Sequence, residues 1–255
     1  EKVRQRIDPG LLGAPEDRWL PSVREASIDI ALGTIRAELA ALGVRFDMFS
    51  RESALGLGTA RAEMLARFAA RGLLSPCSCS RSAIKTAGAR PGWDGLVYPG
   101  TCRHRPMKDT GAGDALRLDL GRALEQVGPL PAFTEIGPLH RGTHRPDPDQ
   151  LIGLIGDPVL RRKETGDPAY HLACPLDDGI QGITHVVRGA DLWHATFLHV
   201  LIQRLMDWPV PIYHHHDLIR DAAGQRLAKI DASRALAAYR ADGVDPAGIR
   251  AMVGL

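Results

Sequence analysis

Three of the four cysteines lie close together in the chain. Cys77 and Cys79 flank a single serine, and Cys102 ends a YPGTC segment that begins at Tyr98. Thiolates are the donors that Zn²⁺ selects, and structural zinc is usually four-coordinate with Cys and His ligands. The residue types therefore predict a zinc site in which His104 competes with Tyr98 for the fourth position. The alternative is a group of reduced cysteines that hold no metal.

The pairing of CSC with YPGTC resembles the zinc motif of glutamyl-queuosine tRNA(Asp) synthetases, in which the tyrosine is a ligand. The resemblance extends over residues from about 73 to 255. It implies a structural Zn²⁺ held by Cys77, Cys79, Tyr98 and Cys102, and so favours Tyr98 over His104.

Residues 167–192, DPAYHLACPLDDGIQGITHVVRGADL, resemble the glutamate-pocket segment of the same enzymes. The resemblance implies that Tyr170 and Arg188 bind the substrate glutamate. A guanidinium can form two parallel hydrogen bonds to a carboxylate, and a phenol can orient it. The alternative makes Arg188 a salt-bridge partner at a strand end and Tyr170 an interior aromatic. Cys174 stands where ordinary glutamyl-tRNA synthetases usually carry asparagine, which favours the queuosine-modifying branch.

Residues 218–230 read as a hairpin followed by a basic loop, and they resemble the KMSKS signature of class I synthetases. Lys229 matches the second lysine of that signature and Arg226 replaces the first, whereas Ala228 and Ile230 replace two serines. The resemblance implies that Lys229 and Arg226 act in catalysis, by neutralising charge on the ATP phosphates. The alternative is an ordinary basic surface loop.

The amino-terminal part departs from the family pattern. Residues 1–72 contain no HIGH-type signature, and segments within residues 1–60 resemble a part of arginyl-tRNA synthetases downstream of that signature. The sequence PLHRGTH at residues 138–144 is similar to HIGH only superficially, because its spacing is off by a residue.

The activity that the resemblance implies is ATP-dependent transfer of glutamate to the queuosine base of tRNA(Asp). The alternatives are a catalytically inactive zinc-containing tRNA-binding relative and a fragment of a discriminating glutamyl-tRNA synthetase.

The elements that must position these residues follow from apolar periodicity. The predicted helices lie at residues 28–42, 59–70, 191–206 and 232–241, and the predicted strands at residues 44–49, 115–120, 159–162, 169–172, 183–187 and 210–215. Residues 141–150 read as a polar loop. On an alternating strand His214, His215 and His216 cannot all point one way, so we expect a structural or solvent-exposed role for them.

The alternation of strands and helices predicts an α/β fold. With the resemblance, it implies a Rossmann-like class I synthetase catalytic domain interrupted by a small zinc-binding insertion. The first part of the catalytic domain is expected at residues 1–75, the insertion at 76–112 and the second part, with the glutamate pocket and KMSKS-like loop, at 113–255. No room is expected for an anticodon-binding domain.

The composition and charge of the chain limit which partners are expected. The net charge of +2 is too small to attract nucleic acid by itself, so any contact with RNA requires a local basic patch. No apolar run is long enough to span a bilayer and no signal segment is recognisable, so the expected compartment is the cytoplasm. The expected cofactor is structural Zn²⁺, with ATP and Mg²⁺ as substrate. The expected partners are glutamate, ATP and the tRNA(Asp) anticodon loop, with no membrane, and the expected state is a monomer.

Overall fold

The computed structural model describes residues 2–11, 13–49, 57–220, 224, 226–227 and 235–254. The chain forms two compact units, one of residues 1–51 with 228–255 and one of residues 52–227. The described helices are α1 (Glu16–Ala41), α2 (Leu57–Ala70), α3 (Arg81–Thr86), α4 (Leu120–Val127), α5 (Pro148–Leu154), α6 (Tyr170–Gln181), α7 (Trp193–Leu205), α8 (Leu236–Ala241) and α9 (Pro246–Met252). The described strands are β1 (Leu74–Cys77), β2 (Arg90–Gly92), β3 (Gly95–Val97), β4 (Ala115–Leu118), β5 (Phe133–Glu135), β6 (Gly142–His144), β7 (Val159–Arg161), β8 (His185–Gly189) and β9 (Ile212–His216).

The smaller unit consists of α1, α8 and α9 with their connections. The helix predicted at residues 28–42 is confirmed, although α1 begins earlier, at Glu16. The strand predicted at residues 44–49 is wrong, because the structure gives this segment no strand and no ladder partner among the described residues. Its aromatic side chains are used locally instead: the Phe46 and Phe49 ring centroids are 5.3 Å apart.

Two sheets and a hairpin organise the larger unit. Strands β1, β4 and β7 form an antiparallel sheet in the order β1-β4-β7, and β2 pairs with β3. The second sheet has four strands in the order β6-β5-β9-β8, in which β5, β9 and β8 run parallel and β6 is antiparallel to β5. The carboxyl ends of the three parallel strands therefore lie at one edge, where polar residues from distant parts of the chain can meet.

A leucine-rich core joins the helices to the antiparallel sheet. Leu118 from β4, Leu172 from α6 and Leu198 from α7 are fully buried and belong to one cluster, together with Phe68 from α2. Full burial of each such side chain contributes about 1.5–3 kcal/mol before the entropy cost of ordering it. The core therefore holds α6 and α7, which carry several candidate site residues, in fixed positions.

The strand predicted at residues 169–172 is wrong, because these residues open α6. Ala169 caps the helix and Leu172 points into the core from its first turn. A four-residue apolar alternation fits a strand and a helix start equally well, so periodicity could not distinguish them. The predicted polar loop at residues 141–150 is also wrong in part: β6 pairs with β5 there, and Asp147 caps α5 by accepting hydrogen bonds from Asp149 N and Gln150 N.

The strands predicted at residues 115–120, 159–162 and 210–215 correspond to β4, β7 and β9, and the helix predicted at 191–206 corresponds to α7 preceded by the short 3₁₀ helix Ala190–Leu192. Within the described ranges, none of the helices has the length and apolar character needed to cross a membrane.

Candidate active site

Arg188 is directed inward by the alternation of β8. Val187 is 69% exposed, whereas Arg188 is 9% exposed. β8 and β9 run parallel with Arg188 opposite His215, so both side chains lie on the same face of the sheet. The register of these two strands thus brings an arginine and a histidine together near the carboxyl edge.

The guanidinium of Arg188 donates to four side chains. Its Nε donates to His215 Nε2 at 3.0 Å and its NH2 donates to Thr196 Oγ1 at 2.6 Å. Its NH1 lies 3.1 Å from the Tyr170 hydroxyl and 3.3 Å from His199 Nδ1. The structure therefore brings the two predicted glutamate-binding residues, Tyr170 and Arg188, into direct contact.

All four acceptors are neutral. A guanidinium only donates, so His199 Nδ1 and His215 Nε2 must each present a lone pair, and neither ring can be an imidazolium. Among the described residues no carboxylate forms an ion pair with Arg188, and the buried Glu135 reaches it only through His215. A buried positive charge without a carboxylate in direct contact is costly. The site is therefore suited to an anionic ligand.

Glu135 holds the His215 ring in place. Its Oε2 lies 2.6 Å from His215 Nδ1, and its Oε1 accepts from His215 N at 2.9 Å and from Gly137 N at 2.6 Å. Burial raises the pKa of Glu135, but the hydrogen bonds from His215 and Gly137 outweigh it and lower that pKa. Since His215 Nε2 accepts from Arg188, the proton of the His215 ring is on Nδ1 and is donated to the carboxylate of Glu135.

Two buried histidines make the stability of the protein depend on pH. Burial lowers the pKa of His199 well below its ordinary value of 6.5, and burial also lowers the pKa of His215. Below about pH 6.5 the unfolded chain takes up protons that the native state does not, so stability is fully present above this pH and is lost as the pH falls. Each histidine contributes at most about 1.4 kcal/mol per pH unit.

We therefore expect the free energy of unfolding, measured by urea denaturation, to be lower at pH 5.5 than at pH 7.5. His199→Asn should reduce this difference, whereas His185→Asn, at an exposed position on β8, should leave it unchanged. Equal stability of the wild type at the two pH values would contradict the assignment of neutral buried rings.

Tyr170 is the accessible member of the pair. It is the first residue of α6 and is 39% exposed, so its hydroxyl can contact a ligand that is bound by the more deeply buried Arg188. Burial is the main cause that raises the pKa of Tyr170 to about 12, so the phenol is protonated at neutral pH. One turn later, Cys174 Sγ lies 3.7 Å from Asp178 Oδ2, and burial raises the pKa of this thiol to about 11. Cys174 is therefore a neutral thiol beside the pocket.

The predicted metal ligands also converge. The sulfur atoms of Cys77, Cys79 and Cys102 all lie within 4.8 Å of one another. The Tyr98 hydroxyl oxygen lies 3.5 Å from the Cys77 sulfur and 4.0 Å from the Cys79 sulfur. His104 is exposed and lies outside this group of donors. Three sulfur atoms therefore cluster with a phenol oxygen beside two of them, and this donor set fits a four-coordinate Zn²⁺.

Arg117 supplies positive charge to this cluster. Its guanidinium carbon is 3.9 Å from the centroid of the Tyr98 ring, and its NH1 donates to Asp157 O at 2.8 Å. Burial raises the pKa of Cys77, but hydrogen bonds from Tyr98 and Arg117 outweigh it and lower the pKa to about 7. Burial raises the pKa of Cys79 to about 11. The cluster thus contains one thiol that ionises easily and a buried cation that offsets negative charge.

The two predicted catalytic residues have different outcomes. Arg226 forms an isolated antiparallel backbone bridge with Arg220, and its NH1 forms an ion pair with Asp191 Oδ2, close in sequence to Arg188. Its side chain is 48% exposed, so the pair is available to solvent and to ligands. Lys229 lies outside the described residues.

The PLHRGTH segment packs around a tryptophan. His140 stacks on Trp193 with ring centroids 4.1 Å apart, and His144 meets the same ring edge-on at 4.9 Å. His144 Nε2 also lies 2.6 Å from the His140 carbonyl oxygen. These contacts give both histidines a packing role beside Trp193.

Sequence reasoning missed four residues that surround Arg188, namely Glu135, Thr196, His199 and His215. One signal was available for His215: on an alternating strand the middle histidine of residues 214–216 faces the opposite side from its two neighbours, and the structure buries it while His214 is half-buried and His216 exposed. His199 lies within the apolar surface of α7 and carries no local motif.

Comparison with known proteins identifies the family. A glutamyl-Q tRNA(Asp) synthetase from Rhodobacter capsulatus is 48% identical over 202 residues, which cover 76% of this chain and 71% of that protein. The chain belongs to the glutamyl-Q tRNA(Asp) synthetase family. The resemblance seen in the sequence is thereby confirmed, as is its interpretation as a synthetase-like ligase.

Further relatives agree with this family. The glutamyl-Q tRNA(Asp) synthetase of Burkholderia mallei is 38% identical over 174 residues, covering 68% of this chain and 54% of that protein, so the chain spans about half the length of such relatives. The family model for the catalytic domain of class I tRNA synthetases (E and Q) matches residues 149–255, which include Tyr170, Arg188 and Arg226.

Solved structures show the same fold. Glutamate-tRNA synthetase from Elizabethkingia anophelis superposes with a TM-score of 0.51 at 19% identity, covering 83% of this chain and 43% of that chain. A glutamate tRNA ligase from Elizabethkingia meningosepticum superposes with a TM-score of 0.50 at 20% identity. The fold is that of a class I tRNA synthetase catalytic domain of mixed α/β type.

Proposed function

We propose that this chain activates glutamate with ATP and transfers it to the queuosine base of tRNA(Asp). The observation that carries the proposal is the buried Arg188, whose partners in the described structure are all neutral and which contacts Tyr170. The relatives named above support the same reaction.

Arg188 recognises the side-chain carboxylate of glutamate. Four of its five N–H groups donate to Tyr170, Thr196, His199 and His215, so the guanidinium is held in one orientation and one N–H on NH2 is left for the ligand. The Tyr170 hydroxyl, at the exposed rim, is the second contact. The positive charge rejects a neutral side chain of the same length, because an amide would leave Arg188 without a counter-ion.

Arg226 and Lys229 assist formation of the adenylate. Their charges neutralise the phosphates of ATP, which binds with Mg²⁺, as the α-carboxylate of glutamate attacks the α-phosphorus and pyrophosphate leaves. Arg226 is supported by its ion pair with Asp191, which holds the basic hairpin next to the strand that carries Arg188. The role of Lys229 rests on its match to the KMSKS signature.

A structural Zn²⁺ is held by Cys77, Cys79, Tyr98 and Cys102 in an insertion at residues 76–112. The convergence of the four donors and the buried Arg117 beside them support this assignment. Three thiolates and a phenolate carry more negative charge than one Zn²⁺ neutralises, and Arg117 offsets part of the excess. Bound zinc would supply folding energy to a lobe with little core of its own. We assign residues 1–75 and 113–255 to the catalytic domain, with a Rossmann-like arrangement.

The proposal predicts ATP–pyrophosphate exchange that depends on glutamate, without tRNA. Glutamine in place of glutamate should support at least about tenfold less exchange, because its amide cannot neutralise Arg188. The assay uses the zinc-loaded chain with ATP, Mg²⁺ and labelled pyrophosphate. Equal exchange with the two amino acids would contradict the assignment of Arg188.

The transfer step is tested with two samples of tRNA(Asp), one carrying queuosine and one carrying guanosine at the same position. Labelled glutamate should attach only to the first, and attachment to both at the 3′ end would indicate an ordinary glutamyl-tRNA synthetase instead.

A second candidate function is a catalytically inactive relative that keeps the glutamate site. It is favoured by residues 1–72, which carry no HIGH-type signature. Calorimetric binding of glutamate together with no exchange over a wide range of glutamate and ATP concentrations would establish this alternative.

A further inference from the structure

A line of polar side chains leads from the surface to Arg188. Asp94 lies in the turn between β2 and β3, and its Oδ2 is 2.8 Å from His171 Nε2. His171, in the first turn of α6, has its Nδ1 3.3 Å from Nε2 of His199 in α7. His199 Nδ1 then lies 3.3 Å from Arg188 NH1. We call these three residues, Asp94, His171 and His199, the histidine chain.

The position of every ring proton in the histidine chain follows from its last member. Arg188 only donates, so His199 Nδ1 accepts, and the proton of this neutral ring is on Nε2. His199 Nε2 therefore donates to His171 Nδ1, which must accept. The proton of His171 is consequently on Nε2 and is donated to Asp94. The contact between His171 and Asp94 is thus a hydrogen bond from a neutral ring, because an imidazolium at His171 would leave the Nε2–H of His199 with no acceptor.

The burial of His199 bears on the role of these hydrogen bonds. His199 is 1% exposed and its neighbours in α7, Leu198, Val200 and Leu201, are fully buried and apolar. An apolar side chain at position 199 would join this core at no polar cost, whereas an imidazole must satisfy both nitrogens. Both are satisfied, one by Arg188 and one by His171. Core packing alone does not account for a histidine here.

We propose that the histidine chain positions Arg188 and thereby sets the affinity and selectivity for glutamate. This inference rests on the proposed function. His199, the last member of the histidine chain, and Tyr170 accept from the two N–H groups of NH1, so the guanidinium plane cannot rotate away from the ligand. The carboxylate of Asp94 polarises the two rings in series, which makes His199 Nδ1 a stronger acceptor. His171 and His199 act through Arg188 and are positioning residues.

The histidine chain also connects the β2–β3 turn to the pocket. Asp94 lies within the predicted zinc-binding insertion, and its carboxylate is 73% exposed. Hydrogen bonding to His171 is the main cause that lowers the pKa of Asp94, so it is ionised at neutral pH. Displacement of the turn would release His171 and, through His199, loosen Arg188.

Paired substitutions separate positioning from packing. His199→Asn keeps an oxygen near the Nδ1 position to accept from Arg188, whereas His199→Phe fills a similar volume with no acceptor. His171→Asn and His171→Phe form the same pair one step further out. We expect glutamate to bind roughly tenfold or more weakly to His199→Phe and about threefold more weakly to His171→Phe, with each Asn variant closer to wild type. His185→Phe, at an exposed position on β8, is the control and should leave glutamate affinity unchanged.

Glutamate affinity is measured by calorimetry, and KM and kcat for glutamate by pyrophosphate exchange. A positioning role predicts a rise in KM with a smaller change in kcat, and a lower preference for glutamate over glutamine. Wild-type affinity in both Phe variants with unchanged preference would overturn the proposal, as would a loss that the Asn variants share in full together with a lower Tm.

A second readout does not require glutamate. Long-range ¹⁵N–¹H spectra of histidine side chains report which ring nitrogen carries the proton, and His199→Asn and His171→Asn assign the signals. The proposal expects Nε2–H on both rings, and a shift of the His199 signals in Asp94→Ala. A proton on Nδ1 of either ring at pH 7.5 would overturn it. If the wild type does not bind glutamate but shows the expected ring protons, the proposed function fails while the histidine chain stands as a support for Arg188.

Discussion

Arg188→Ala is expected to lower kcat/KM for glutamate in pyrophosphate exchange by roughly two orders of magnitude or more. Truncation of one partner of a buried, hydrogen-bonded charge pair costs about 2–5 kcal/mol. Arg188 is buried beside Tyr170, and each side chain that accepts a hydrogen bond from it is neutral. Without it, the substrate carboxylate would enter a buried site with no counter-charge.

Arg188→Lys is expected to recover little of this loss. An ammonium presents a compact point charge on a flexible stem and cannot contact His199, His215 and Thr196 while also facing the ligand. Arg162→Ala is the matched control, since Arg162 is exposed on the segment that follows β7. That variant should keep wild-type kinetics.

Stability distinguishes a substrate-binding Arg188 from a structural one. Arg188→Leu leaves the buried His199, His215 and Thr196 without their donor, so a lower Tm is expected whatever the role of Arg188. Glutamate should raise the Tm of the wild type, because a ligand that binds the native state stabilises it, whereas Arg188→Leu should show neither this rise nor exchange. If Arg188 is instead a structural residue, glutamate will raise the Tm of the variant as well. The latter outcome would remove the main support for glutamate recognition.

Cys102→Ser is expected to lower the zinc content of the purified chain from about one ion per molecule to near zero, since structural zinc needs its full set of ligands. The sulfur of Cys102 lies 3.6 Å from that of Cys79, which lies 4.0 Å from the Tyr98 hydroxyl oxygen, and the backbone N–H of Cys102 donates to the same oxygen at 2.6 Å. Loss of the ion should lower Tm markedly, and a chelator should do the same to the wild type. Metal analysis by mass spectrometry and thermal unfolding give the two measurements.

The fourth ligand is decided by two further variants. Tyr98→Phe should weaken zinc binding, because the described structure places the phenol oxygen against the thiols, whereas His104→Ala should not, because His104 is exposed. Cys174→Ser is the control for cysteine loss, since Cys174 lies in α6 beside Asp178. Zinc retained in Cys102→Ser, or lost in His104→Ala, would contradict the assignment.

Local sequence was enough for the elements with long or strongly periodic patterns. The strands β4, β7 and β9 were predicted from short apolar runs that fit a strand without excluding a helix, whereas the helix α7 was predictable because apolar residues recur over enough positions to distinguish a helical period from a strand period. The first turn of α6 was not, since Ala169–Leu172 is too short for that distinction. Residues 44–49 alternate like a strand but have no neighbour to pair with among the described residues, and alternation cannot supply one.

The amino-acid sequence by itself determined the family, and with it the candidate ligands and glutamate-binding residues, because these lie in short motifs whose spacing is legible along the chain. Only the tertiary structure decided what surrounds Arg188. Glu135, His199 and His215 come from β5, α7 and β9, and they meet because three parallel strands end at one edge and α7 packs beside them. The neutral protonation of those rings, which leaves Arg188 without a carboxylate in direct contact among the described residues, is a property of that three-dimensional contact and of no single segment of the chain.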